Sequence, residues 1–121
     1  MNQRLENFQR DGFLVIEGFN TNAECDSLLE RAEGLVAEFH LEGEASVFQT
    51  SEQERTSDDY FLNSGGNISY FFEKVAFNAS GALKRDLFHS LNKIGHAMHD
   101  LDPVYKAFSR SPQMKELAKG L

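Results

Sequence analysis

The strongest constraint on this 121-residue chain is a stripe of apolar residues that recurs at helical spacing. Positions three and four apart lie on one face of an α-helix. The stripe consists of Cys25, Leu28, Leu29, Ala32, Leu35, Val36 and Phe39. A polar residue at 20–22 can cap this helix, and Glu24 and Asp26 in the first turn suit the positive end of the helix dipole. The pattern predicts a helix that ends near His40 and buries one face, including Cys25.

Shorter strand-like and helical segments surround this helix. Residues 13–18 (F-L-V-I-E-G) form an apolar run closed by glycine, which is typical of a strand buried on both faces. Residues 60–62 and 68–72 flank a glycine pair and predict a β-hairpin, and residues 75–83 predict a looser hairpin or an irregular loop. The remaining predicted elements are helices at 3–10, 87–101, 103–108 and 112–119, the last capped by Ser111, and a long acidic surface loop at 40–57.

This order of elements predicts an α+β fold with an incomplete sheet. Three strands among so many helices make a poor independent sheet, and the aromatic residues at 70–72 call for a larger apolar surface. The length allows one domain at most, with a modest core. The sequence therefore predicts that residues 1–121 are part of a single larger domain.

Charge and composition exclude several classes of partner. The net charge of −7 opposes non-specific nucleic-acid binding, which needs Lys and Arg to displace phosphate counterions. No apolar run approaches the roughly 20 residues that span a bilayer, and residues 1–6 lack the apolar core of a secretion signal. The single cysteine cannot form an internal disulfide, which suits a reducing compartment. We therefore predict a cytoplasmic protein with neither a nucleic-acid nor a membrane partner.

Histidines and acids in the predicted helix at 87–101 are the first candidates for a metal site. His96 and His99 are three apart, with Asp100 and Asp102 close behind. On a helix, however, the apolar face comprises Leu91, Ile94, Met98 and Leu101, so both histidines point away from it. A closed site also needs about four donors. The helical geometry thus favours a solvated face, with a zinc or iron site at this pair as the alternative. The H-x-E pair at residues 40–42 stands alone in a polar loop.

Lys93 is the charged residue whose position in the sequence most needs an explanation. It sits at the border of the apolar face of the same predicted helix. One interpretation is a lysine that lays its stem on apolar surface and keeps its ammonium in water. The other is a compact positive charge aimed into a cavity to bind an anionic group. The residues alone leave both interpretations open.

The other residues considered for chemical roles are better explained as structural. Cys25 lies on the apolar face of its helix, which indicates a packed thiol. The pair Gly65-Gly66 precedes a strand and not a helix, which argues against a phosphate-cradling loop. The aromatic residues at 70–72 resemble a stacking platform, but the negative net charge favours core packing. The sequence therefore identifies no catalytic residue and no metal ligand in this chain.

Four motifs in order resemble the amino-terminal portion of the phytanoyl-CoA dioxygenase family. They are F-Q-R-D-G-F-L-V-I-E-G-F at 8–19, Y-F-L-N-S-G at 60–65, I-S-Y-F-F-E-K at 68–74 and N-K-I-G-H-A-M-H at 92–99. The resemblance covers nearly the whole chain, is weakest across the acidic loop, and is closest to the subgroup of phytanoyl-CoA dioxygenase domain-containing proteins. It implies an Fe(II)- and 2-oxoglutarate-dependent oxygenase built on a double-stranded β-helix, a cupin-like jelly roll.

The resemblance also implies specific roles for residues. Family members hold iron with an H-x-D pair and a distant histidine, a facial triad that leaves positions open. No H-x-D occurs in this chain, so the resemblance implies that the core strands and the metal site belong to a carboxy-terminal catalytic half. Lys93 matches the family lysine that contacts 2-oxoglutarate. His96 and His99 match positions that are not ligands. From its position in the chain, the acidic loop at 40–57 is predicted to fold over the substrate mouth.

Two functions from different classes follow. In the first, the chain is part of an oxygenase that hydroxylates a small organic substrate while decarboxylating 2-oxoglutarate. Fe(II) and 2-oxoglutarate would then bind the full-length protein. This chain alone would bind neither of them tightly and would not turn over substrate. In the second, the chain is a non-catalytic binding or regulatory module that pairs through exposed apolar surface.

Overall fold

A long helix and an antiparallel strand pair organise the computed structural model, which describes residues 2–41, 47 and 59–121. The helices are α1 (Gln3–Asp11), α2 (Asn22–Glu38), α3 (Asp59–Leu62), α4 (Met98–Leu101), α5 (Pro103–Ser109) and α6 (Pro112–Lys119). The strands are β1 (Ile68–Phe72) and β2 (Leu91–His96), and 3₁₀ turns cover Ser64–Gly66 and Phe88–Ser90. Helices together with a two-stranded sheet agree with the predicted α+β class.

Helix α2 confirms the prediction made from the apolar stripe. Its N-cap is Thr21, whose hydroxyl accepts a hydrogen bond from the Glu24 backbone N–H, while the Glu24 carboxylate accepts one from the Thr21 backbone N–H. This reciprocal capping box satisfies two N–H groups that the helix itself leaves unpaired. The stripe is buried only at its carboxy-terminal end, at Leu35 and Val36. The prediction that Cys25 is buried is wrong, because Cys25 lies in the uncovered first turns and is exposed.

The two strands pair with each other and not as predicted. Strand β1 runs antiparallel to β2, with Tyr70 opposite Ile94 and Phe71 opposite Lys93. Phe71 and Phe72 are fully buried. The predicted hairpin is wrong, because residues 60–62 belong to α3 and the strand partner comes from residues 91–96. Pairing across that distance leaves no signal in the sequence near either strand.

The predicted helix at 87–101 is also wrong. The segment contains a 3₁₀ turn, strand β2 and the short helix α4. Apolar residues at 91, 94, 98 and 101 fit a helical period, but the backbone of β2 instead hydrogen-bonds to β1. Gly95 within the segment lowers its helix propensity. The ladder with β1 therefore outweighs a weak local preference.

Residues 13–16 have no regular secondary structure and residues 17–18 form a turn, so the predicted buried strand is wrong. Phe13 and Val15 are 64% and 74% exposed. In the described ranges the sheet has only β1 and β2, so this segment has no ladder partner there. A segment without a strand partner leaves its backbone N–H and C=O groups outside a ladder.

The carboxy-terminal helices begin where predicted. Ser111 caps α6 with Pro112 in its first turn, and Asp102 caps α5 by accepting hydrogen bonds from the backbone N–H groups of Val104 and Tyr105, both at 3.1 Å. Arg31 of α2 donates to the other Asp102 carboxylate oxygen at 2.6 Å. Burial by itself raises the pKa of Asp102, but these backbone and guanidinium hydrogen bonds outweigh it and lower the pKa below its usual range. The ion pair thus joins α2 to α5.

The other predicted elements have separate outcomes. Helix α1 confirms the prediction at 3–10, and a single antiparallel bridge between Phe77 and Leu83 confirms a loose hairpin at 75–83. The predicted acidic loop and its role at a substrate mouth lie outside the described residues, except at 40, 41 and 47. In the part of the chain that the structure describes, no helix combines the length and apolarity needed to cross a membrane.

Candidate functional site around Lys93

Strand β2 places Lys93 against the aromatic centre of the molecule. Lys93 lies opposite Phe71 in the strand pair and is half-buried. Its ammonium nitrogen lies 5.7 Å from the centre of the Phe61 ring and 5.9 Å from that of Phe71. Both distances are within the range at which an aromatic face attracts a cation. The lysine is therefore held at an apolar wall.

Gly95 gives the lysine side chain room to lie along the strand. Residues 93 and 95 lie on the same face of β2, because side chains alternate between faces. A Cβ atom added at Gly95 would lie 3.2 Å from Lys93 Cε, closer than ordinary van der Waals contact. The absence of a side chain at residue 95 therefore lets the lysine stem fold toward His96.

His96 joins Lys93 to the buried hydroxyl of Ser64. Its Nε2 lies 2.8 Å from Lys93 Nζ, and its Nδ1 lies 2.8 Å from Ser64 Oγ. Ser64 is 1% exposed and also donates a hydrogen bond to the Phe61 carbonyl oxygen at 2.6 Å. The imidazole ring packs edge-on against Phe61 with the ring centres 5.6 Å apart. His96 is thus fixed by polar contacts at both nitrogens and by a ring contact.

The prediction that His96 and His99 share the solvated face of a helix is wrong. His96 ends β2 and turns inward, whereas His99 lies in α4, is exposed and approaches Asp100 at 3.4 Å. Asp102 is engaged in capping α5 and pairing with Arg31. The two histidines therefore lie in different elements and do not share a face.

The residues that the structure describes do not form an iron site of the kind found in the family that the sequence resembles. Among the residues that the structure describes, no group of three or more His, Cys, Asp or Glu side chains is placed to hold a metal ion. The sequence contains no H-x-D pair. His40 is exposed at the start of the acidic segment, and Glu42 lies outside the described residues. The donors present therefore do not fit a facial triad.

Sequence reasoning missed Ser64, Phe61 and the inward role of His96. Ser64 begins the 3₁₀ turn that precedes β1, and Phe61 lies in α3, so both reach the site through elements that the hairpin prediction excluded. The Ser64–His96 contact spans 32 positions in the sequence. Nothing in the local pattern of either residue signals this contact, although the S-G-G-N turn marks the place where it forms.

Comparison with known proteins assigns the chain to a family. Residues 8–120 match the model of a family described as phytanoyl-CoA dioxygenase (PhyH). The chain is 42% identical over 118 residues to a phytanoyl-CoA dioxygenase of Arabidopsis thaliana. It is 41% and 40% identical to phytanoyl-CoA dioxygenase domain-containing protein 1 homolog of Dictyostelium discoideum and to phytanoyl-CoA dioxygenase domain-containing protein 1 of Bos taurus. Each match covers 98% of this chain, which spans only 41–42% of the length of these relatives. The chain belongs to the phytanoyl-CoA dioxygenase family.

Proposed function

We propose that this chain supplies one wall of the 2-oxoglutarate site of an Fe(II)-dependent oxygenase. The reaction would consume O₂, 2-oxoglutarate and a small organic substrate and would yield succinate, CO₂ and the hydroxylated product. Family membership supports the reaction class, and the length of the relatives supports a larger protein. Residues 1–121 are then the amino-terminal part of a single double-stranded β-helix domain, whose core strands lie elsewhere.

The observation that carries the proposal is the position of Lys93. A half-buried ammonium at an apolar wall is placed to recognise an anionic group. The Lys93 ammonium nitrogen lies near two aromatic rings and 2.8 Å from His96 Nε2. A carboxylate of 2-oxoglutarate suits this setting, because a lysine binds a carboxylate through short, charge-assisted hydrogen bonds.

In this proposal the iron is held by the carboxy-terminal half of the domain and, when bound, would supply the redox chemistry with O₂. The proposed role of the residues described above is limited to binding and orienting 2-oxoglutarate. The partner we propose for the chain is therefore the carboxy-terminal catalytic half of the same domain. We further propose a cytoplasmic location, which the single cysteine supports.

Replacing Lys93 tests the proposal. In the full-length enzyme, Lys93→Ala should raise the apparent KM for 2-oxoglutarate decarboxylation on the order of 10- to 100-fold, because it removes a hydrogen bond between charged groups. Lys106→Ala is the matched control, since it removes the same charge from an exposed position on α5. An unchanged KM in Lys93→Ala would remove the lysine from the cofactor site.

The exposed apolar residues support a second candidate, a non-catalytic binding module. Phe13 and Val15 offer uncovered apolar surface of the kind that marks interaction sites. The coding sequence downstream of residue 121 discriminates between the two functions. An in-frame H-x-D followed by a distant His supports the enzyme. A natural stop codon with a soluble monomeric product supports the module.

A further inference from the structure

A cleft of about 390 Å³ opens at the end of the strand pair where β1 stops and β2 starts. The register of the two strands places His96, the contact of Lys93, at the opposite end of the pair. Three residues with basic side chains line the cleft: Lys84, Arg85 and His89. The cleft is thus distinct from the site around Lys93.

Hydrogen bonds of the backbone hold the walls of this cleft. Lys84 donates its backbone N–H to the Ala76 carbonyl at 2.9 Å, and Glu73 donates its backbone N–H to the Ser90 carbonyl at 2.9 Å. The buried Ser90 hydroxyl donates to the Asp86 carbonyl at 2.8 Å. These bonds fix the chain on both sides of the basic residues, so little ordering is needed when a ligand binds.

The two permanent cations of the cleft differ from other basic residues of the molecule. Arg10, Arg31 and Arg110 each form an ion pair with an aspartate. Among the residues that the structure describes, neither Lys84 nor Arg85 has a carboxylate within ion-pair distance. Adjacent positive charges repel each other, and a bound anion would offset this repulsion.

Two carboxylates near the cleft have hydrogen-bond partners of their own. Asp86 accepts hydrogen bonds from His89 Nδ1 at 2.8 Å and from the His89 backbone N–H at 3.1 Å, and these bonds hold the pKa of Asp86 below its usual range. Glu73 lines the cleft, and its Oε1 accepts a hydrogen bond from Asn92 Nδ2 at 3.0 Å. Positive charge therefore exceeds negative charge in the lining, although the net charge of the whole chain is −7.

We propose that this cleft binds a small phosphate monoester, with the phosphate on Lys84 and Arg85 and the organic part on Val75 and Ala76. A phosphate monoester carries nearly two negative charges at neutral pH and three terminal oxygens, which suit an ammonium and a guanidinium together. The cleft volume lies within the range of about 300–1,000 Å³ that is usual for small-molecule sites. This site is independent of the proposed 2-oxoglutarate site.

Phenyl phosphate is the probe, because it joins a phosphate to an apolar ring. Its dissociation constant for the full-length protein is measured by calorimetry at low ionic strength, where charge interactions are least screened. Benzoate carries the same ring on a carboxylate, and inorganic phosphate lacks the ring. We expect phenyl phosphate to bind with a dissociation constant on the order of 0.1–1 mM and the other two anions to bind at least about fivefold more weakly. Absence of binding, or equal binding of benzoate, would overturn the proposal.

Substitutions of the two cations locate the site. Lys84→Ala and Arg85→Ala should each weaken the binding of phenyl phosphate on the order of tenfold, because each removes a charge-assisted hydrogen bond. Lys106→Ala and Lys115→Ala are the matched controls, since they remove the same charge from exposed positions on α5 and α6 and should bind as the parent does. Equal weakening in all four variants, or in none, would overturn the site.

Two further variants test the apolar side of the cleft and its independence. Val75 is 69% exposed, so Val75→Ser should fold; it should weaken the binding of phenyl phosphate about threefold and leave that of inorganic phosphate unchanged. Equal effects on both anions would remove the organic part from Val75. Lys93→Ala should bind phenyl phosphate as the parent does. Weaker binding in Lys93→Ala with parental binding in Lys84→Ala would place the probe at Lys93 and overturn the proposal.

Discussion

Two apolar segments of this chain have similar sequences and opposite environments. Residues 13–18 (F-L-V-I-E-G) and strand β1 (I-S-Y-F-F) are both short, aromatic and rich in strand-forming residues. Phe72 of β1 is fully buried, whereas Phe13 is 64% exposed. Strand β1 pairs with β2 and packs near α2, while the described residues offer no strand partner to the other segment.

The comparison shows that an apolar run specifies a strand only when a second strand is within reach. Strand β1 gains its ladder from β2, and the Tyr70 ring stacks on Phe39 at the end of α2 with the ring centres 4.2 Å apart. In the described part of the chain, residues 13–18 have no ladder partner. Under the proposed function, strands of the catalytic half are the partner that this segment lacks.

The largest effect is expected from replacing one phenylalanine by alanine in each segment in turn. In the 121-residue chain, Phe72→Ala should lower the free energy of unfolding by about 3–5 kcal/mol, because it leaves a cavity in the core. Phe13→Ala should lower it by less than about 0.5 kcal/mol, since the side chain is already in water. Urea denaturation of both variants measures the difference. Equal costs would contradict the comparison.

The same pair of variants in the full-length enzyme sharpens that result. If strands of the catalytic half cover residues 13–18, the cost of Phe13→Ala should rise to about 2 kcal/mol or more, the value typical of a buried side chain. A cost that stays near zero would favour the binding module, in which the segment is exposed until a partner binds.

A smaller effect is expected from Asp102. Its ion pair with Arg31 joins α5 to α2, the helix near which the buried strand β1 packs. Asp102→Asn keeps a capping side chain but loses the charge that pairs with Arg31, so we expect a loss of about 2 kcal/mol at neutral pH. The pKa of Asp102 is lowered in the fold. Its stabilising effect is therefore complete above the unfolded value of about 4 and is lost as pH falls through the lower folded value.

Unfolding measured from pH 7 to pH 3 tests this sign. The difference in stability between the parent and Asp102→Asn should be largest at pH 7 and should shrink below about pH 4. A difference that stays constant over this range would mean that the charge of Asp102 does not stabilise the fold.

The smallest effect is expected from two tyrosines that donate to backbone carbonyls of α2. Tyr70 of β1 donates to the Leu35 carbonyl at 3.1 Å, and Tyr105 of α5 donates to the Leu28 carbonyl at 2.8 Å. Each Tyr→Phe variant should lose about 1 kcal/mol. In hydrogen exchange, Tyr70→Phe should speed the exchange of β1 amides, and Tyr105→Phe should leave them unchanged. The comparison weakens if both variants change β1 equally.

Elements with local signals could be predicted from the sequence. The stripe and a polar cap at 20–22 predicted α2, and Ser111-Pro112 predicted the start of α6, because caps and helical periods involve residues at most four positions apart. The site could be predicted only in part. Lys93 stands out in the sequence, but a helical period at Leu91, Ile94 and Met98 concealed the strand that presents it, and nothing local links it to Ser64.

By itself, the sequence determined the helices with caps, the negative charge and the family of the protein. Only the tertiary structure decided that β1 pairs with β2 and that His96 turns inward between Lys93 and Ser64. It also decided that residues 13–18 have no strand partner among the residues it describes. The physical reason is the range of the forces that act. Helical hydrogen bonds and caps form within one turn, whereas a strand ladder and a buried hydrogen-bond chain join residues that meet only when the chain has folded.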